Sequence, residues 1–279
     1  MIIGVTGFRG RLGSWLIKQG CIPIDCEISK PSSIQKALEE FEPDVLVNCA
    51  AYTKVDDAED DENLDILINT NLWGPARLRQ NFRGLLIQIS SGHVFDGQNG
   101  LKYLEEDTPS PVNRYGMSKL GGEAGAQMRE PSLVVRVNDL YGTGPRSDFV
   151  RYTRDILEMG QEIYFSTRLY GTPTYIPHLS EALLEVANRG LTGTLHLVSD
   201  TKLFNRYQWA KTIAAEFEFD PDLIKPTSKI GGKAPRPPRA GLSVEKAKQL
   251  GLPLYSPSEG LAALKLWEHK RAESESIPN

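Results

Sequence analysis

Short apolar runs alternate with amphipathic stretches along the first half of the chain. Residues 1–5, 44–49, 85–89 and 132–137 are too short for helices and rich in Ile, Leu and Val. Such runs read as strands buried on both faces of a parallel sheet. Between them lie helical periods at residues 14–19, 32–41, 64–82 and from Tyr115 towards Met128. In the second of these, Ile34, Ala37, Leu38 and Phe41 share one face. Residues 21–24 make a poor strand, interrupted by Pro23. Strand and helix in alternation predict an α/β chain built on a doubly wound, Rossmann-type parallel sheet.

Beyond residue 142 the pattern changes. A loop over 138–145 leads to a helix at 149–159, a strand at 162–165, a loop at 168–177, a helix at 179–188 and an alternating strand at 193–198. A helix at 204–217 follows, then a Pro-, Gly- and base-rich stretch at 225–241 and helices at 244–250 and 257–269. The polar tail, 272–279, reads as frayed. This organisation predicts a dinucleotide-binding domain over 1–142, with 175–198 returning to it. Residues 143–174 and 199–279 form a smaller C-terminal α/β domain for substrate.

With 279 residues, 40% apolar and 24% charged, the chain can bury a sizeable core. A net charge of −4 gives nucleic acid no electrostatic invitation. No apolar run approaches the ~20 residues that span a membrane. The chain enters directly as a strand rather than as a signal peptide, so the expected compartment is the cytoplasm. Cys21, Cys26 and Cys49 read as reduced structural thiols. The four histidines do not cluster at metal spacing.

The chemistry gathers at two places. Gly7, Gly10 and Gly13 stand between the first strand and the first helix. Glycines there permit a tight turn and let the backbone approach a pyrophosphate at the helix N-terminus. Asp25, 18 residues after Gly7, suits the ribose hydroxyls of NAD(H), whereas Arg9 and Arg11 suit the 2′-phosphate of NADP(H). The second place is the strand end at Ser90 and Ser91, followed by a turn-rich loop and Tyr115-Gly-Met-Ser-Lys119. Tyr115 and Lys119 share a helix face. An ammonium beside a phenol lowers its pKa and suits it to protonate a developing oxyanion, while Ser91 donates to the same oxygen. Tyr207 and Lys211 have the same spacing without such a setting. Ala50 and Ala51 leave room for a ligand at another strand end, and His93 can face the site. The six carboxylates within 54–62 read as a solvated loop or helix start.

These segments together resemble the extended short-chain dehydrogenase/reductases, and within them the dTDP-4-dehydrorhamnose reductases. The resemblance covers nearly the whole chain. It rests on TGFRGRLG (6–13), PDVLVNCAAYTKVDDAE (43–59), SSGHVFDG (90–97), YGMSKLGGE (115–123), GTPT (171–174) and RPPRAGL (236–242). It implies Ser91, Tyr115 and Lys119 as the catalytic group. It implies cofactor contacts from Gly7, Arg9, Gly10, Arg11, Leu12, Gly13, Asp25, Ala50, Ala51, Tyr52, Asn71 and Lys119. Substrate contacts would come from Val55, His93, Val94, Phe95, Asn138, Asp139, Arg168, Arg236 and Arg239, the three arginines on the diphosphate. The implied reaction is NAD(P)H-dependent reduction of a nucleotide-linked 4-keto-6-deoxy sugar by a monomer or homodimer, with neither nucleic acid nor membrane as partner. A nucleotide-sugar epimerase that retains NAD, and a non-catalytic regulatory subunit on the same fold, are the alternatives.

The sequence departs from the family pattern on the substrate side. Ser91-Gly92-His93 stands where Thr-Asp-Tyr is usual, and Arg136-Val-Asn-Asp-Leu-Tyr141 where Arg-Thr-Ser-Trp-Val-Tyr is usual. Arg168-Leu169 replaces Asp-Gln, and Arg239-Ala240 replaces Asn-Ser. Asp139, in place of an aromatic, would offer acceptors to sugar hydroxyls and shift preference away from dTDP-4-dehydrorhamnose.

Overall fold

The computed structural model of the chain describes residues 1–100, 102–142 and 147–275. Among them, six strands form one parallel sheet: β1 (Ile3–Thr6), β2 (Ile22–Pro23), β3 (Val45–Asn48), β4 (Leu85–Ser91), β5 (Ser132–Val137) and β6 (Gly193–His196). Their order is β6-β5-β4-β3-β1-β2. β3, β4 and β5 are buried along their whole length, which explains why their sequences are apolar rather than alternating. Pro23 is tolerated because β2 is an edge strand.

Helices cover both faces of the sheet. α1 (Arg11–Lys18) packs with α6 (Ile176–Asn188) on one side, and α2 (Pro31–Phe41), α3 (Trp73–Asn81) and α4 (Arg114–Gln127) cover the other. α1 begins three residues earlier than its sequence pattern suggests. The expected single helix over 64–82 is broken: a turn at Leu64–Leu67 leads into a π-helical turn, Ile68–Leu72, before α3. Pro75 lacks the N–H that a continuous helix would aim at the Asn71 carbonyl. Gly122 of α4 lies against that carbonyl, where any Cβ would come within 2.2 Å of it.

Two buried polar groups pin the central strands. At one register level the Thr6 hydroxyl donates to Asn48 Oδ1 (2.6 Å) and Asn48 Nδ2 to Gln88 Oε1 (2.7 Å). Gln88 Nε2 in turn donates to the Ile89 carbonyl at 2.8 Å. At the next strand, the Arg136 guanidinium forks onto Glu123 of α4, Nε to Oε1 at 3.0 Å and Nη2 to Oε2 at 2.8 Å. The Ser90 hydroxyl donates to the same carboxylate, and both charged side chains are 5% exposed.

The later part of the chain forms a smaller lobe over the carboxyl edge of the sheet. Ile163–Ser166 pairs in parallel with Ile224–Thr227, a strand hidden in what reads as the Pro- and base-rich loop. The expected loop at 168–177 contains two short strands: Tyr170–Gly171 pairs with Phe204–Asn205, and Thr174–Tyr175 with Leu140–Tyr141. Asp148 caps α5 (Phe149–Glu158) through the amides of Val150 and Arg151. Asn205 and Gln208 form a capping box on α7 (Arg206–Glu216). Tyr141, Tyr175, Trp209, Ile213 and Leu261 build the core beneath. The terminal helix runs over Pro257–Glu275, so the first part of the tail expected to fray is helical. Residues 276–279 of that tail, and 143–145 of the loop expected after β5, lie outside the described residues.

Candidate active site

A cleft of about 820 Å³ opens at the carboxyl ends of β1, β3, β4 and β5, with the glycine turn at one end and Tyr115 near the other. This is where an open parallel sheet holds its ligand. Gly7 has a φ of +63°, and a Cβ there would lie 2.4 Å from the Ala50 amide; one at Gly13 would lie 2.5 Å from the Gly7 carbonyl. Both are glycine because strand, turn and helix touch. Gly10 differs, since its Cβ would meet nothing closer than the Gly7 carbonyl at 3.2 Å. Gly10 is also the N-cap of α1, whose first turn has no side-chain cap. An uncapped first turn beside an open glycine fits an anionic diphosphate. Gly10→Val should therefore weaken NADH and NADPH binding alike, by roughly tenfold or more, about 1.4 kcal/mol. Calorimetric titration of both nucleotides checks this, and unchanged affinities would place the diphosphate elsewhere.

Leu12, Ala50, Ala51 and Val55 line the cleft, as do Asp25 and Arg9 at its outer end. Arg9 pairs with Asp25 through two bonds of 3.0 and 2.9 Å and lies 4.4 Å over the Phe8 ring. The two residues read as opposite cofactor preferences are thus one another's partners. Arg11 does not join them. Its guanidinium crosses to the smaller lobe, 2.9 Å from the Leu140 carbonyl and 3.3 Å from Asp148 Oδ2, and so is turned away from the expected 2′-phosphate end. Tyr52 and Asn71 serve the wall rather than the opening. The Asn71 amide clips both backbone groups of Tyr52 (2.8 and 2.9 Å) and donates to Ser118 (3.0 Å), which fastens the loop after β3 to α4.

Ser91 ends β4 and Tyr115 opens α4, which Asn113 caps by accepting from the Gly116 amide at 2.7 Å. Tyr115 is buried with Ala58 and Leu67. Its pKa is raised by that burial, with the Ser91 hydroxyl pulling it down. The lowering expected from Lys119 is not what the structure gives. The Lys119 ammonium donates to the Ile89 carbonyl at 2.7 Å, and burial brings its pKa down to about 8, with Glu123 and Cys49 opposing. Tyr115 is therefore held as the protonated phenol. Tyr207 and Lys211, at the same spacing, lie on α7 outside the cleft, with Lys211 donating to the Pro221 carbonyl.

His93 reaches the cleft and sets its ring edge-on to Tyr115, centroids 5.4 Å apart. Burial pushes its pKa down to about 4; Asp139 opposes, and Arg236 and Arg206 reinforce. The Asn113 amide lies 3.2 Å from Nδ1, so the neutral ring accepts there and carries its proton on Nε2. Val94 and Phe95, expected to touch substrate, are fully buried instead, Phe95 stacked 4.1 Å from the Tyr103 ring. Asn138 lines the cleft and donates to the Ala240 carbonyl at 2.7 Å.

Asp139 also lines the cleft, in the left-handed region at φ +43°. Its Oδ1 holds Arg206, and a Cβ at Gly171 would collide with its Oδ2. The carboxylate is thus tied to the smaller lobe through Oδ1 while it lines the cleft. Arg236 pairs with Asp56 at 2.7 Å rather than standing free for a diphosphate. Arg168 is exposed; Arg239, also exposed, lies 5.3 Å over the Tyr170 ring. Among the described residues no His, Cys, Asp and Glu group is placed to hold a metal ion, and no helix is long and apolar enough to cross a membrane.

Residues 1–265 match the family described as RmlD substrate binding domain. The chain belongs to that family. A dTDP-4-dehydrorhamnose reductase from Mycobacterium tuberculosis is 30% identical, over 98% of this chain and 92% of its own length. A probable dTDP-4,6-dihydroxy-2-methyloxan-3-one 4-ketoreductase from Streptomyces antibioticus is 30% identical, over 89% of this chain and 88% of its own. Among solved structures, dTDP-4-dehydrorhamnose reductase from Bacillus anthracis in complex with NADP superposes with a TM-score of 0.89 at 27% identity, covering 95% of this chain and 99% of that one.

Two features of this RmlD-family chain escaped the sequence reading. Arg206 had no signal beyond its place behind the N-cap Asn205. The acidic run had one: the base-rich stretch downstream. Its segment starts a helical stretch, one of the two expectations, but its carboxylates are paired as well as solvated. Two 3₁₀ turns, Asp57–Glu59 and Asp61–Asn63, hold it, and Asp56, Asp60 and Asp61 bind Arg236, Lys233 and Arg114. The Lys233 and Ala234 amides also donate to Asp56, at 2.7 and 2.9 Å.

Proposed function

We propose that this RmlD-family chain is a cytoplasmic NAD(P)H-dependent reductase of a nucleotide-linked 4-keto-6-deoxy sugar, acting as dTDP-4-dehydrorhamnose reductases do. The observation that carries the reading is the convergence of Ser91, Tyr115 and Lys119 at one end of a cleft whose other end is an open glycine turn. A reduced nicotinamide held in this cleft would supply the hydride for the carbonyl carbon. Tyr115, kept protonated by burial, gives its phenolic proton to the carbonyl oxygen as charge develops there. Ser91 accepts the His93 amide at 3.2 Å, which leaves its own proton for that oxygen. Lys119, with a pKa of about 8, is mostly cationic at neutral pH, and the Ile89 carbonyl holds its ammonium in the cleft wall at 2.7 Å.

The proposed division of labour assigns 1–142 and 175–198 to the cofactor, and 143–174 and 199–279 to the sugar nucleotide. Its support is that β6 joins the main sheet, whereas Ile163–Ser166 and Ile224–Thr227 pair outside it. The test is consumption of NADPH and NADH against a panel of nucleotide 4-keto sugars that includes dTDP-4-dehydrorhamnose. Substrate-dependent loss of reduced-nicotinamide absorbance is expected. No loss across the panel, with NAD found tightly bound in the purified protein, would overturn the reading in favour of an epimerase.

A further inference from the structure

Arg11 stands at the first position of α1, in the turn where the proposed cofactor diphosphate docks. Its side chain nevertheless reaches the smaller lobe. It donates to the Leu140 carbonyl at 2.9 Å and pairs with Asp148 at 3.3 Å. Leu140 directly follows Asn138 and Asp139, which line the cleft. Asp148 is 3% exposed and already occupied: Oδ1 accepts the Val150 and Arg151 amides that start α5, and Oδ2 accepts the Gly142 amide at 3.1 Å. One guanidinium therefore joins the cofactor turn to both the chain entering the smaller lobe and the first helix of that lobe. Arg11, Leu140 and Ser147 all line the cleft, so this bridge is part of its wall.

We infer that Arg11 is a positioning residue that couples the two ligands. Fixing α1 against a bound diphosphate fixes Arg11, which in turn holds Leu140, Asp148 and the adjoining sugar-site segment. The ordering cost of that segment is then met once, by whichever ligand binds first. Coupling of this kind is reciprocal: cofactor tightens nucleotide binding by the same factor as nucleotide tightens cofactor. The inference rests on the proposed cofactor site.

The experiment titrates dTDP, as the probe of the sugar-nucleotide site, into the protein with and without saturating NADP+. In the wild type NADP+ should lower the Kd of dTDP by about 5-fold or more, within the ordinary range of coupling. Arg11→Met keeps side-chain length and removes the bridge. Asp148→Asn keeps an acceptor for the α5 amides, leaves Arg11 intact and turns its amide nitrogen on the guanidinium. In both variants the NADP+ effect on dTDP should shrink to less than about 2-fold, and in Asp148→Asn the affinity for NADP+ alone should be unchanged. Wild-type coupling retained in both variants, with native circular dichroism, would overturn the inference. So would independent binding of the two ligands in the wild type. Failure of the wild type to bind NADP+ at all would overturn the cofactor site itself, an outcome distinct from the other two.

Discussion

Tyr115→Phe is expected to lower turnover by ~10²–10⁴-fold, the range that a positioned general acid contributes. The ring has its place secured without the hydroxyl: Ala58 and Leu67 pack on it, and the His93 ring meets its edge. Phenylalanine fills the same volume, so cofactor affinity and unfolding temperature should change little. What is lost is the proton. Without it the developing alkoxide is left with the Ser91 hydroxyl and the Lys119 charge. Lys119 is no substitute, because its ammonium is directed at the Ile89 carbonyl. The measurement is kcat with NADPH and the best sugar substrate, alongside NADP+ affinity. Near-wild-type kcat in a folded variant would remove Tyr115 from the acid role.

Arg136→Met should destabilise the fold by about 3–5 kcal/mol, the usual cost of stranding one member of a buried ion pair. Glu123 would keep the Ser90 hydroxyl but lose both guanidinium bonds, in a place where 5% of its side chain is exposed. Water cannot reach it to compensate. Removing both charges is a different experiment. Arg136→Met with Glu123→Leu replaces a desolvated pair by apolar groups of similar size, and should recover most of the loss. Urea unfolding of the wild type, the single and the double variant forms the test. A single variant within about 1 kcal/mol of wild type would mean that the pair is better solvated than its burial indicates.

How far the site is legible in the sequence follows from the range of the forces involved. Ser91 ends a strand and Tyr115 begins a helix within one βα segment, so their meeting is nearly local. Gly13 is a steric necessity within the turn itself, Gly7 one that the chain after the next strand imposes through Ala50, and the open position, Gly10, appears only once these neighbours are in place. The pKa expectation fails for the same reason. Spacing puts Lys119 beside Tyr115, but spacing says nothing of burial, which raises the phenol and turns the ammonium to a backbone carbonyl. Val94 and Phe95 follow Ser91 closely, yet pack into the core.

The sequence by itself determined the alternating architecture, the glycine turn and the Ser91, Tyr115 and Lys119 group. The first rests on the period of strands and helices, the second on glycine spacing after a strand, and the third on residues carried by one βα segment. Only the tertiary structure decided the partners of the long charged side chains: Arg11 with Asp148, Arg206 with Asp139, Arg236 with Asp56. It also decided that Ile224–Thr227, with Lys225 and Pro226 in its middle, is a strand. A guanidinium can satisfy its donors on many carboxylates. Which one it meets depends on how distant segments are brought together, and no local pattern carries that information.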